Sequence, residues 1–324
     1  MHPLTQSSPQ PVAPVAQPVL TARQLSERVY YDRRAQQEAQ AEVSFDVVWG
    51  QPRNPWNTTW RVFGLAAEER AAGARALLDF GCGAGKSAVR FAAMGFQVHG
   101  FDISENQIAE ARRLAARYGF ENRTTFSVQA AEALMLPSDS FDLVIGFDVL
   151  HHVEIEPAVR QCLRVLRPGG MAVFREHLEV PVFDAVRNWR PMRRLLPKGW
   201  SRQYGHQATE HERKLTDGDL QTIRGVAGNL HVEHFSLLSR LDLFVRTPQS
   251  RGPSRLEMLD FELFQAFPRL RRFGGTGVLT FRKSGSPANG PAVADDFRQF
   301  ARRTPSEASG RAGVVRTEIR LQTS

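Results

Sequence analysis

Asp79-Phe80-Gly81-Cys82-Gly83-Ala84-Gly85 joins a short apolar run to an amphipathic segment over residues 87–94. Three glycines at alternate positions let main chain come close to a ligand where a Cβ would collide. Strand, glycine turn and helix start, in that order, describe a nucleotide pocket at the carboxyl end of a parallel strand. A dinucleotide fingerprint would need glycine where Lys86 stands. A phosphate-binding loop ending in Gly85-Lys86-Ser87 would need its opening glycine where Phe80 stands. Both phosphate readings therefore miss by one residue. About 20 residues beyond the turn, a second strand pattern over 97–103 ends in Asp102, whose carboxylate is spaced to accept hydrogen bonds from both ribose hydroxyls. His151 and His152 follow a later strand pattern and His177 another, which puts all three at the same edge of the sheet. A histidine there can take a proton from a hydroxyl near neutral pH, although packing at a helix start is the commoner use of such a pair. His206, Glu210 and His211 match no zinc-ligand spacing, so no metal is expected.

The elements that must hold these residues are legible in the periodicity. Ser104-Glu105-Asn106-Gln107 reads as a capping box, and Ile108, Ala111, Leu114, Ala115 and Tyr118 then line one helical face. Residues 124–129 and 138–148 read as strands. A helix over 157–166 opens with Pro157 at its first position, and Arg167-Pro168-Gly169-Gly170 turns into a strand over 171–175. Ahead of the glycine turn, residues 25–43 and 58–72 read as helices. Behind it, Thr216-Asp217-Gly218-Asp219 caps another helix, residues 230–238 and 277–283 read as the last two strands, and residues 256–270 as a helix. The expected fold is α/β, a doubly wound and mostly parallel sheet of seven strands.

From Asp79 to Gly85 the chain resembles motif I of the class I methyltransferases that use S-adenosylmethionine. The order that follows strengthens the likeness: Asp102 closing the second strand, Ser140-Phe141-Asp142 opening the fourth, His151-His152 after it, and Leu166-Arg167-Pro168-Gly169-Gly170 before the fifth. The succession over residues 75–177 is similar to the ubiquinone- and menaquinone-type small-molecule methyltransferases. That resemblance implies S-adenosylmethionine as cofactor, held by Asp79, Gly81, Cys82, Gly83, Gly85, Asp102, Ile103, Ala131, Glu132 and Phe147. It implies a small-molecule acceptor, with O-methylation ahead of C- or N-methylation, and His177, His151 and His152 as candidate bases. One position departs from the pattern: Ala130 stands where the family carries an aspartate to the adenine amino group. Glu132 is the candidate to replace it, with an exposed loop glutamate as the equal alternative. A membrane lipid or quinone as acceptor and a catalytically silent cofactor-binding protein are the competing readings.

Composition fits one enzyme domain with unstructured ends. Of 324 residues, 1–22 are expected to form a disordered leader and 284–324 a disordered tail. Residues 23–283 would be the domain, with its cofactor half at 75–177 and a substrate cap at about 178–215. The formal charge of +8 comes from arginines spread along the chain without interleaved aromatics, which argues against a nucleic-acid track. The cap mixes Phe183, Trp189 and Trp200 with arginines, so contact with an anionic membrane is the second reading there; Pro191 and Pro197 break the long helix such contact would need. Tyr30, Tyr31, Trp56 and Trp60 are candidate lid or pocket walls. Cys82 and Cys162 are poorly placed for a bridge, which makes reduced thiols in a cytoplasm the expectation. Nothing in the sequence speaks to oligomeric state.

Overall fold

The computed structural model describes residues 20–38, 42–50, 54–181, 213–242 and 254–285. Its centre is a sheet of β1 (Ala76–Phe80), β2 (Gln97–Asp102), β3 (Thr124–Val128), β4 (Phe141–Phe147), β5 (Leu166–His177), β6 (His231–Phe235) and β7 (Thr276–Arg282). The strand order is β3-β2-β1-β4-β5-β7-β6. Strands β1 to β5 pair in parallel, and β7 runs antiparallel to both of its neighbours. The doubly wound sheet read from the sequence is thus the one observed. The order reverses between β1 and β4, and in open α/β sheets the crevice at that reversal is where ligands bind.

Helices cover both faces, so the central strands are apolar throughout rather than alternating. On one face Leu78, Phe80, Phe101, Val144 and Phe174 pack with Val159 and Cys162 of α6 (Ile155–Val165) and Ile223 of α7 (Asp217–Ala227). On the other, Leu77, Leu143, Ile145 and Val173 meet Phe63 of α3 (Thr58–Ala71) and Phe91 of α4 (Lys86–Ala93). Phe63 stacks on Phe91 with ring centroids 4.7 Å apart. Three further helices complete the description: α1 (Ala22–Glu38), α5 (Glu105–Arg117) and α8 (Arg255–Ala266), with α2 (Asp46–Trp49) as a single turn.

Several local expectations shift, each for a physical reason. Glu154 caps α6, which puts Pro157 at the third helical position and not the first; the missing N–H is harmless there because the first turn has no internal acceptors. Ser104 accepts from the Gln107 N–H at 3.0 Å, but the Gln107 side chain donates to the Tyr31 carbonyl instead of closing the capping box. The Thr216–Asp219 box is complete. The turn at 167–170 is absorbed into β5 as a bulge: Phe141 pairs with Leu166, whereas Leu143 pairs with Met171. The helix expected over 25–43 begins at Ala22 and ends at Glu38, and Val43 packs against Val89, Leu114 and Ala115. Residues 182–212, most of the expected cap with its aromatic and basic side chains, lie outside the described residues, as do His206, Glu210, His211 and most of the expected leader and tail.

Gly85, the residue before α4, has φ +80°, and a Cβ on it would stand 2.8 Å from the Ala111 Cβ of α5. Gly85→Ala is therefore expected to lower stability by about 2–4 kcal/mol, from left-handed backbone strain plus overpacking. Urea denaturation of the purified variant measures this directly.

Candidate functional site

The glycine turn leaves β1 still in ladder geometry: the Cys82 N–H donates to the Phe101 carbonyl at 2.8 Å, and the Gly85 N–H returns to the Cys82 carbonyl at 3.0 Å. The three glycines have different tasks. A Cβ on Gly81 would stand 2.5 Å from the Val149 side chain, and one on Gly85 would meet Ala111. Both are glycine because protein packs against them. A Cβ on Gly83 would come within 4 Å of Gln107 Oε1 alone, at 3.8 Å, so its bare face opens on the crevice. Gly83 has φ +51°.

Two carboxyls flank the turn. Asp79 is buried and accepts the Ser87 hydroxyl at 2.7 Å, tying the first turn of α4 to the end of β1. Burial, with the Asp102 charge adding to it, pushes the Asp79 carboxyl up to about 7 against the opposing hydrogen bonds. Asp102 accepts the Gly83 N–H on Oδ2 and the Ser104 N–H on Oδ1, both at 3.0 Å. The carboxylate keeps acceptor capacity beyond its backbone donors for a ligand hydroxyl. Burial raises Asp102 to about 6, partly offset by those backbone donors and by His152. The Cys82 thiol is buried and pushed well above its ordinary range, first by desolvation and then by the two aspartates. It is a packing group and not a nucleophile.

Of the other expected cofactor residues, Ile103 is half-buried beside Asp102, and Ala130 and Ala131 are buried. Glu132 accepts from Gln24 Nε2 of α1 at 2.8 Å and from the Glu154 N–H at 3.0 Å, bridging α1 to the start of α6. Phe147 turns its ring towards Phe63 and Phe91, with the Arg175 guanidinium 5.3 Å from its centroid. This arrangement leaves main chain, not the ring, as its contribution at the sheet edge.

The three histidines separate sharply. His151 is buried, and its Nδ1 lies 2.7 Å from Oε2 of Glu176, which is fully buried. Oε1 of Glu176 accepts the Val149 and Leu150 N–H groups at 2.9 and 2.7 Å. A carboxylate accepts, so Nδ1 carries the hydrogen and Nε2 keeps its lone pair. His152 Nε2 is 2.9 Å from the Tyr31 hydroxyl, on α1. His177 stands 3.9 Å from Asp148 Oδ1, and its ring is 6.5 Å from that of His151. Desolvation, then Arg175 and His151, lower His177 to about 4, which makes it neutral at pH 7 and a weak proton acceptor. Asp148, at φ +51°, pairs with Arg175 beside it.

Helix α1, a candidate lid, crosses this edge. Its Asp32 accepts the Ser104 hydroxyl at 2.5 Å, and Arg23 reaches the His151 carbonyl at 3.4 Å. Trp56 packs against Phe261 of α8, with ring centroids 6.4 Å apart. Glu176 is a functional residue that spacing did not single out; the available signal was a carboxyl at the end of an apolar run, which has to find donors in the loops. The structural role of Asp32 left no signal in spacing.

Sheet order, glycine turn and carboxyl pair define the class I methyltransferase fold. Residues 78–174 match the family described as a methyltransferase domain. The chain is 41% identical over 107 residues to the 27-O-demethylrifamycin SV methyltransferase of Amycolatopsis mediterranei, a match covering 32% of this chain and 39% of that one. In both first curated relatives the chain spans under two fifths of their length, 39% and 38%. Among solved structures, the geranyl diphosphate C-methyltransferase of Streptomyces coelicolor A3(2), in complex with S-adenosyl-L-homocysteine, superposes with a TM-score of 0.51 at 14% identity, covering 84% of this chain and 100% of that one. The [4+2]-cyclase SpnF superposes with a TM-score of 0.50 at 20% identity and the same coverage. These two likenesses concern the fold.

Two measurements probe the crevice. Gly83→Ala costs roughly 1–2 kcal/mol of stability from its backbone conformation, yet should lower affinity for S-adenosylhomocysteine more than tenfold by calorimetry, in contrast to Gly85→Ala, whose loss is in folding. With Asp102 as the expected ribose ligand, accepting hydroxyls as the carboxylate, that affinity should rise with pH through about 6 and level off above it. Over the same span the raised Asp79 and Asp102 subtract stability from the ligand-free fold as pH climbs from the ordinary carboxylate range to about 7.

Proposed function

We propose that this chain is an S-adenosylmethionine-dependent methyltransferase that methylates a hydroxyl of a small-molecule acceptor. The crevice suits the donor on three counts: the open face of Gly83, the spare acceptor capacity of Asp102, and an apolar floor at Ala130 and Ala131 for a flat base. Bound there, the donor supplies an activated methyl group on sulfonium sulfur. With Ala130 in place of the family's aspartate, one charge-assisted hydrogen bond to adenine is absent, worth about 1.5–3 kcal/mol, which weakens the site without removing it.

The observation that carries O-methylation is the His151–Glu176 contact. Glu176 holds the ring through Nδ1, and its two backbone donors hold the loop that bears the ring. Nε2 is then the atom to take the proton of an acceptor hydroxyl as that oxygen attacks. The resulting imidazolium is stabilised by the carboxylate behind it. His177 keeps its place as a neutral wall of the same edge. The lid α1 and the apolar strand ends exclude water, and most of the acceleration comes from holding oxygen and methyl carbon in line, an effect of roughly 7–11 kcal/mol. The curated relative named for an O-demethyl substrate supports the same reading. Among the described residues no helix is long and apolar enough to cross a membrane.

The test is release of S-adenosylhomocysteine during incubation with a panel of phenols and hydroxylated macrocycles. His151→Gln should lower kcat about 10²–10⁴-fold while leaving donor affinity intact. Since this fold also carries a [4+2]-cyclase, donor binding without transfer to any hydroxyl in the panel would overturn the proposal.

A further inference from the structure

His151 and His152 are adjacent and their rings lie 4.2 Å apart, yet they face different partners. While His151 turns to Glu176 inside the sheet edge, His152 is gripped from above by α1. Its Nε2 lies 2.9 Å from the Tyr31 hydroxyl, and its Nδ1 lies 3.1 Å from Oε2 of Glu27. Glu27 and Tyr31 are four residues apart, one above the other on the inward face of the helix. The Tyr31 ring also meets His152 edge-on, with centroids 5.6 Å apart and planes at 86°.

We infer that His152 is the positioning residue that latches α1 over the donor crevice, and that the base role in the pair belongs to His151 alone. This rests on the proposed transfer reaction for its catalytic half, but the latch itself is a property of the ligand-free protein. The energetics favour the assignment. The Glu27 side chain is 5% exposed, and a carboxyl withdrawn from water is costly without a polar partner. His152 Nδ1 stands within ion-pair distance of this carboxyl, at the point where the helix crosses the strand-four loop. With both ring nitrogens facing lid residues, His152 has no lone pair aimed at an acceptor. Two neighbouring lid contacts, Asp32 with the Ser104 hydroxyl and Gln24 with Glu132, flank the latch along the same helix.

Hydrogen exchange of the segment 22–35, read by mass spectrometry on the full chain, tests the latch without reference to turnover. His152→Ala should speed exchange there about tenfold or more in the ligand-free protein, Glu27→Gln and Tyr31→Phe each by less, with the amides of β1 and β4 unchanged as a check on folding. His151→Gln should leave exchange over 22–35 as in the parent. On the kinetic side, His152→Ala should raise KM for the donor more than it lowers kcat, and His151→Gln the reverse. Unaltered exchange over 22–35 in His152→Ala, with β1 and β4 protected, would overturn the latch. Loss of kcat at saturating donor in His152→Ala, with the lid still protected, would overturn it in favour of His152 as the base. If no variant or parent turns over any acceptor, the exchange result still decides the latch, and only the proposed reaction falls.

Discussion

A parallel sheet delivers its strand ends to one edge, and every loop leaving that edge carries N–H groups with no ladder partner. In this protein carboxyls meet them. Glu176, fully buried, accepts the Val149 and Leu150 N–H groups and His151. Asp102 accepts those of Gly83 and Ser104, and Asp79 holds Ser87. Because these groups are desolvated, their hydrogen bonds are strong and their loss is costly. The same desolvation lifts Asp79 and Asp102 towards neutral pH. Loop geometry, histidine orientation and the acid–base character of the crevice thus follow from one constraint.

The lid belongs to the same arrangement. Helix α1 is tied to the sheet edge by polar contacts: Gln24 to Glu132, Asp32 to Ser104, and Glu27 and Tyr31 to His152. Its outer face leaves Leu25 and Val29 about half exposed. A helix docked by polar pairs at its rim can separate at modest cost, as the proposed lid role requires. Its contacts fall on Ser104 and Glu132, immediately after the two loops expected to hold ribose and adenine.

Much of this was readable in order and spacing. The seven-strand plan, the glycine turn and the acid ending β2 follow from hydrophobic period and turn chemistry, which are local. Reading failed where a distant element intervened. The Ser104–Gln107 box is left half-made because Asp102 accepts the Ser104 N–H while the Gln107 amide turns to α1. Three glycines looked alike, but only contacts with Val149 and Ala111 show that two serve packing. The lowered basicity of His177, from burial and the neighbouring Arg175, likewise left no signal in spacing.

By itself the chain determined the doubly wound fold and a candidate place along it for a nucleotide-bearing ligand, because strand, turn and helix signals act over a few residues. Only the tertiary structure decided which histidine pairs with Glu176 of β5 and which with Glu27 and Tyr31 of α1. Side-chain direction at the end of a strand depends on what packs against it. Glu176 is 25 residues from His151 and Tyr31 is 121 from His152, and no local pattern encodes such pairings.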